Sequence, residues 1–227
     1  MIGLFKAAGV AASVAASGAV AMGGWAVVTV RDLPESVVAG QQYRVEFHVR
    51  QHGIKLLSGL EPRLIVRTTA PGWLGTERGE LATIPARAAG HGAYAATFTA
   101  PAAEQVFLVI KNGFGGELRL YPLPVIAAGG RPLPPLAAVD RGRALFVAKG
   151  CNTCHANTDL TERPENHTFS DAPALGGRRF DEQSLIAKIT RPVSERMPDL
   201  GLRDDEVRAL AAFLNGGRTA AATGGSR

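Results

Sequence analysis

Cys151-Asn152-Thr153-Cys154-His155 is the stretch on which the reading of this chain turns. A C-x-x-C-H run reads as a c-type haem attachment site. Two thiols two residues apart lie on one turn of backbone, so both can form thioethers to one macrocycle. The adjacent histidine is then held under the ring, where an imidazole nitrogen can ligate iron. Other readings of the five residues fit less well. A thioredoxin-like or disulfide pair has no use for the histidine, and no βαβ pattern surrounds the motif. A structural zinc ion needs four ligands; the chain has only these two cysteines, and neighbouring Cys154 and His155 are awkwardly placed to share a tetrahedral ion.

Working outward, Asp140 reads as the N-cap of a short helix running to about Lys149, with Gly142, Leu145 and Phe146 at helical spacing and Gly150 closing it. From Asp140 onward, about the last third of the chain resembles the class I cytochrome c family. The resemblance implies that this first helix packs through its glycine and aromatic against an aromatic on the last helix. Phe213, in the run Glu206-Val207-Arg208-Ala209-Leu210-Ala211-Ala212-Phe213-Leu214, is the partner it points to. It further implies a distal methionine followed by proline ahead of that helix, and Met197-Pro198 match. Of the three methionines, Met1 starts the chain and Met22 lies in the leader region, so Met197 is the candidate sixth ligand. A proline stiffens a loop and removes a donor, which lets a thioether be presented without a helix to hold it.

Between these points, Pro173-Ala174-Leu175 resembles the family's P-x-L segment, in which the proline carbonyl accepts the second ring N–H of the haem histidine. Arg178 is the candidate partner of a haem propionate, while Arg179 reads as a surface charge. Phe180, Leu185 and Ile189 mark the inner face of a third helix stopped by Pro192. The stretch 156–170 is longer and more polar than compact family members carry. It contains His167, a spare histidine able to compete with Met197, although its polar surroundings suit a solvated loop residue.

Residues 1–24 read as a signal peptide or N-terminal membrane anchor. Lys6 precedes an Ala/Val/Gly-rich stretch, and Ala19-Val20-Ala21 supplies an A-x-A cleavage site. The uncharged run from Ala7 to Val30 is long enough to span a bilayer, yet it is rich in Gly and Ser and ends in a strand-like segment. Either way the remainder is exported, consistent with haem attachment outside the bacterial cytoplasmic membrane. The expected location is therefore periplasmic, soluble or held on the periplasmic face of the membrane.

Residues 25–127 lack helical periodicity. Tyr43, Val45, Phe47 and Val49 alternate with Arg44, Glu46, His48 and Arg50, and Tyr94, Ala96 and Phe98 repeat the pattern. Val106 to Ile110 is apolar throughout, as in a central strand, and Leu118 and Leu120 alternate with Arg119 and Tyr121. Turn signals at Ala39-Gly40, Pro71-Gly72, Gly90-His91-Gly92 and Asn112-Gly113 separate about seven short strands, which indicates an immunoglobulin-like β-sandwich. Gly90-His91-Gly92-Ala93-Tyr94, with Phe98 and Pro101 beyond it, resembles the YtkA-like and FixH-like extracytoplasmic sandwiches. His48, His52 and His91 offer themselves as a copper site, but His48 shares a solvent face with Arg44 and Arg50, and no cysteine or methionine accompanies them. Residues 128–139 read as a Gly/Pro linker and residues 216–227 as a disordered tail.

The expected fold is thus multidomain: an all-β immunoglobulin-like sandwich at 25–127, then an all-α cytochrome c domain at 140–215. The expected function is one-electron transfer by one covalently bound haem c, its iron held by His155 and Met197, in a protein that is not an enzyme. The formal charge of +5 suits an acidic redox partner or an anionic membrane surface, and no basic cluster or aromatic platform points to nucleic acid. A sandwich that a lone shuttle would not need suggests an accessory subunit of a membrane or photosynthetic electron-transfer complex, docked through its β-domain. The alternative is a haem sensor or peroxidase-like enzyme in which Met197 leaves the iron.

Overall fold

The structure, a computed structural model, describes residues 25–71, 79–160, 172–192 and 195–216. Residues 1–24, His167 and most of the 216–227 tail lie outside them. Among the described residues no helix is long and apolar enough to cross a membrane.

The first hundred described residues form two sheets. One places β1 (Ala26–Val30), β3 (Gln42–Gln51), β8 (Ala93–Thr99) and β7 (Arg87–Gly90) in that order, with β4 (Lys55–Leu56) also on β3. The other runs β2 (Val37–Val38), β11 (Leu123–Ile126), β9 (Gln105–Lys111), β5 (Arg63–Arg67) and β6 (Glu80–Pro85), with β10 (Glu117–Arg119) on β9. The alternation read along β3 has a direct cause: Val45, Phe47 and Val49 are buried while their neighbours are not. Apolar β9 is central, pairing with β5 along its length, β11 at its start and β10 at its end. Among the described residues there are eleven strands against the about seven expected; β2 and β4 are two residues long and β10 three, too short to show any period.

Two tyrosine hydroxyls secure the sandwich. The Tyr94 hydroxyl accepts from the Leu60 N–H at 3.0 Å and donates to the Leu57 carbonyl at 3.1 Å, and the Tyr43 hydroxyl accepts from the Val38 N–H at 2.8 Å. His48, expected to face solvent, is half-buried, and burial with Arg50 and Arg31 nearby holds its imidazole below the ordinary value. Among the described residues no cluster of three metal-capable groups forms, so the copper reading gains nothing.

After a turn closed by the Gly130 N–H on the Ala127 carbonyl, the chain runs without regular structure to the first of four helices among the described residues: α1 (Ala138–Ala148), α2 (Cys151–Cys154), α3 (Glu182–Thr190) and α4 (Asp204–Gly216). Helix α1 starts two residues ahead of the expected cap. Ala137 takes the cap position with no side-chain bond. Asp140 instead lies in the first turn, where its charge suits the helix dipole, and pairs with Arg143 at 2.9 Å. Gly150 does close the helix, at φ +77°. Helix α3 is capped by Asp181, whose carboxylate accepts from the Ser184 N–H at 2.9 Å; that bond holds the carboxyl below its ordinary value. Helix α4 takes in Gly216, the first residue assigned to the tail.

Helices α1 and α4 cross at Gly142. A Cβ there would stand 1.9 Å from the Ala209 carbonyl oxygen and 2.7 Å from Phe213 Cβ, so only glycine permits the approach. Phe146 and Phe213 then meet with ring centroids 5.5 Å apart, tilted by 59°, a favourable edge-biased geometry.

The helices do not hang from the sandwich on a hinge. The Leu136 N–H donates to Glu35 at 2.9 Å, within the segment read as a linker. Arg141 pairs with Glu35 at 2.9 Å and also with Asp205 of α4, and Arg203 pairs with Asp32. These pairs are half-buried or exposed and individually weak. Their pH response is nevertheless readable. The hydrogen bond from Arg141 holds the Asp205 carboxyl down to about 2. A carboxyl depressed by folding stabilises fully above its unfolded value, near 3.9, and loses that contribution as pH falls through about 2. Asp205→Asn is therefore expected to flatten the acid limb of a denaturant-midpoint series between about pH 4 and pH 2.

Candidate cofactor cleft

The motif segment sits where the sandwich meets the helices. Gly150 is the point of closest approach: a Cβ there would lie 2.3 Å from Val27 Cγ1 and 2.6 Å from the Val28 carbonyl oxygen of β1. Glycine thus serves both the left-handed cap and the close approach. Helix α2 is a single turn carrying Cys151 and Cys154. Burial is the main reason the Cys151 thiol is pushed up to about 12, with Cys154 beside it adding.

His155 follows directly. Its Nδ1 lies 2.9 Å from the Pro173 carbonyl oxygen. A carbonyl only accepts, so Nδ1 carries the proton and, in the neutral ring, Nε2 keeps the lone pair. The Leu175 N–H donates to the Ala156 carbonyl at 2.8 Å, locking this segment against the motif. Gly176 lets it close on the 3-10 turn Thr158–Leu160, where a Cβ would meet the Thr158 nitrogen at 2.4 Å.

These residues open onto one cleft of about 1340 Å³. That exceeds the roughly 300–1,000 Å³ of ordinary small-molecule pockets. Its floor is Phe146, Leu185, Leu210 and Leu214; one rim carries Leu175, Phe180 and Ile189, another Met197, Pro198, Leu200 and Leu202. The mouth is basic, with Arg178, Arg179, Lys188 and Arg196 against Asp181. Arg178 and Arg179 are both exposed, so geometry does not separate the one expected to pair with a propionate from the one read as surface. The Phe180 N–H donates to Asn215 Oδ1 at 2.9 Å, holding the α3 rim on the end of α4.

The donor set fits a flat, largely apolar macrocycle. Two thiols stand on one helical turn at one end, an imidazole offers one free nitrogen, and a thioether faces the same space. Residues 137–214 match the family described as cytochrome c oxidase, cbb3-type, subunit III. This stretch is a c-type cytochrome domain. The cytochrome domain is a haem c-binding domain with iron, and its chemistry is electron transfer. No curated protein matches the chain. Among solved structures, native E. coli alpha-2-macroglobulin is similar over 50% of this chain and 6% of that one, at 14% identity and a TM-score of 0.37. So slight a likeness says nothing of the sandwich's role.

Cys151, Cys154, His155, Pro173, Arg178 and Met197, the site residues expected from sequence, all line this cleft. Trp25, Val27, His52, Gly53 and Ile54, all from the sandwich, also line it and were not expected there. Nor was the ion pair behind the motif. Lys149 and Glu206, with side chains 5% and 2% exposed, pair at 2.8 Å. Lys149 Nζ also donates to the Arg31 carbonyl, and Thr29 Oγ1 donates to the Lys149 carbonyl at 3.4 Å. Nothing local in the sequence marks these residues.

Proposed function

We propose that this chain is an exported one-electron carrier in which Cys151 and Cys154 would hold the haem, His155 and Met197 would ligate its iron, and Arg178 would neutralise a propionate. The supporting observation is that His155, with Nδ1 committed to Pro173, and Met197 face one apolar cleft beside the paired thiols. When bound, the haem supplies a reversible ferric–ferrous couple.

The chain's own part is to position and to insulate. Pro173 fixes the histidine tautomer and raises its basicity. A methionine in place of a second imidazole favours the ferrous state, and the apolar cleft works in the same direction by disfavouring the additional ferric charge. With His155 and Met197 both ligating the iron, no position would be left for substrate, which supports a carrier rather than an enzyme.

The finer reading is an accessory subunit of a periplasmic, membrane-bound redox complex. A basic cleft mouth suits an acidic partner surface. The appended sandwich suits a stationary subunit better than a shuttle, and the leader-like residues 1–24 suit export or tethering.

Met197→Ala, expressed in a host that matures c-type cytochromes, tests the ligand assignment. Wild type is expected to show acid–acetone-resistant haem, a weak red-edge methionine–iron band in the ferric state and resistance to carbon monoxide. The variant is expected to lose the band and bind carbon monoxide. A wild type that is already high-spin, or that takes carbon monoxide freely, removes the carrier reading and brings forward a sensor or peroxidase-like enzyme.

A further inference from the structure

The sandwich touches the motif rather than merely preceding it. Gly53, at φ +78° and buried, places its Cβ direction 3.7 Å from Cys154 Sγ and 3.5 Å from Val27 Cγ2. It belongs to the turn joining β3 to β4, where His52 also has a positive φ, +51°. These two consecutive left-handed residues stand in the three-residue loop between paired Gln51 and Lys55, where asparagine or glycine ordinarily fills such a backbone position. Histidine stands there instead. Its N–H donates to the Trp25 carbonyl at 3.0 Å, and its ring lies 5.5 Å from the Trp25 ring. Trp25, His52 and Ile54 all face the cleft on the side of Cys154, and Ile54 is 49% exposed there.

We propose that this turn and Trp25 form the fourth wall of the haem cleft, closing it over the Cys154 thioether edge so that the sandwich itself raises the haem's reduction potential. The inference rests on the reading that Cys151 and Cys154 carry the haem. The physics is that of dielectric. Water at the edge of the macrocycle stabilises the additional ferric charge, and a wall of indole, imidazole and isoleucine keeps water back. Trp25, His52 and Ile54 act in this account only by excluding water, not as ligands. The sandwich's role then goes beyond docking, because the cytochrome domain lacks one side without it.

The test uses the full-length, haem-loaded protein and spectroelectrochemical titration. Trp25→Ala and Ile54→Ser are each expected to lower the midpoint potential, with covalent haem content and the red-edge methionine band unchanged. His52→Gly keeps the turn, since glycine accepts its backbone, and is expected to give a smaller fall in the same direction. Leu81→Ala, on the exposed face of β6, is the control and should move nothing. Midpoints equal to wild type in both Trp25→Ala and Ile54→Ser overturn the wall. Should Trp25→Ala lose its haem, Ile54→Ser and His52→Gly decide alone. Wild-type protein without covalent haem would overturn the attachment reading instead, a distinct outcome.

Discussion

Glu206→Ala is expected to cost about 3–5 kcal/mol of folding stability, because it leaves the Lys149 ammonium buried without its counter-charge. The geometry gives Glu206 two duties. It accepts from Lys149 at 2.8 Å, and it reaches back to the Arg203 N–H at 3.1 Å, the returning half of a capping box at the start of α4. Losing the cap adds roughly 1 kcal/mol. The measurement is a urea midpoint on haem-loaded protein, with the slope of the transition unchanged. The double variant Lys149→Met with Glu206→Leu discriminates between charge and shape. It removes both ions and is expected to recover most of the loss, since a buried pair contributes little beyond what apolar packing provides. A Glu206→Ala protein within about 1 kcal/mol of wild type would show that this pair is not desolvated as its burial implies.

Gly142→Ala carries the second large effect, and two terms oppose each other. Alanine in a helix interior gains about 1 kcal/mol over glycine. Against that, its Cβ would fall 1.9 Å from one backbone atom of α4 and 2.6 Å from another, and neither can swing aside as a flexible side chain does. The helices must separate along their whole contact, which costs about 3 kcal/mol or more. The net of about 2 kcal/mol corresponds to a fall of roughly 4–8 °C in thermal midpoint for a unit of this size. An alanine variant as stable as wild type would mean that the crossing is looser than the Phe146–Phe213 geometry indicates.

What the sequence disclosed and what it hid divide along a physical line. The helix pair was legible, because Gly142, Phe146 and Phe213 carry their constraint in residue type and spacing. So were β3 and β9, whose alternation and unbroken apolar run report burial directly. The match over residues 137–214 then agrees with the cytochrome reading of the C-terminal part. The hidden part is contact between distant segments. Val27 reads as an ordinary strand valine and Gly150 as an ordinary cap; that one nearly touches the other is written in neither neighbourhood. The Gly/Pro segment misled for the complementary reason. Composition reports backbone stiffness, but not that Glu35, a hundred residues earlier, receives the Leu136 N–H. His52 was visible and weighed as a metal ligand, while its place beside Trp25 on the cleft came only from the turn.

The thread from Thr29 to Lys149 spans 120 residues, and that from Asp32 to Arg203 spans 171. Contacts so remote along the chain are slow to form, since loop closure must precede any gain from them. Every strand pairing among the described residues lies within residues 26–126, so the two sheets can assemble while the C-terminal third is still emerging. The seam between β1 and the motif segment is completed by Glu206 of α4, which pairs with the Lys149 that reaches the Arg31 carbonyl. The architecture thus favours an order in folding: the β-surface can form first, and the last helix then clamps the cysteine-bearing turn against it.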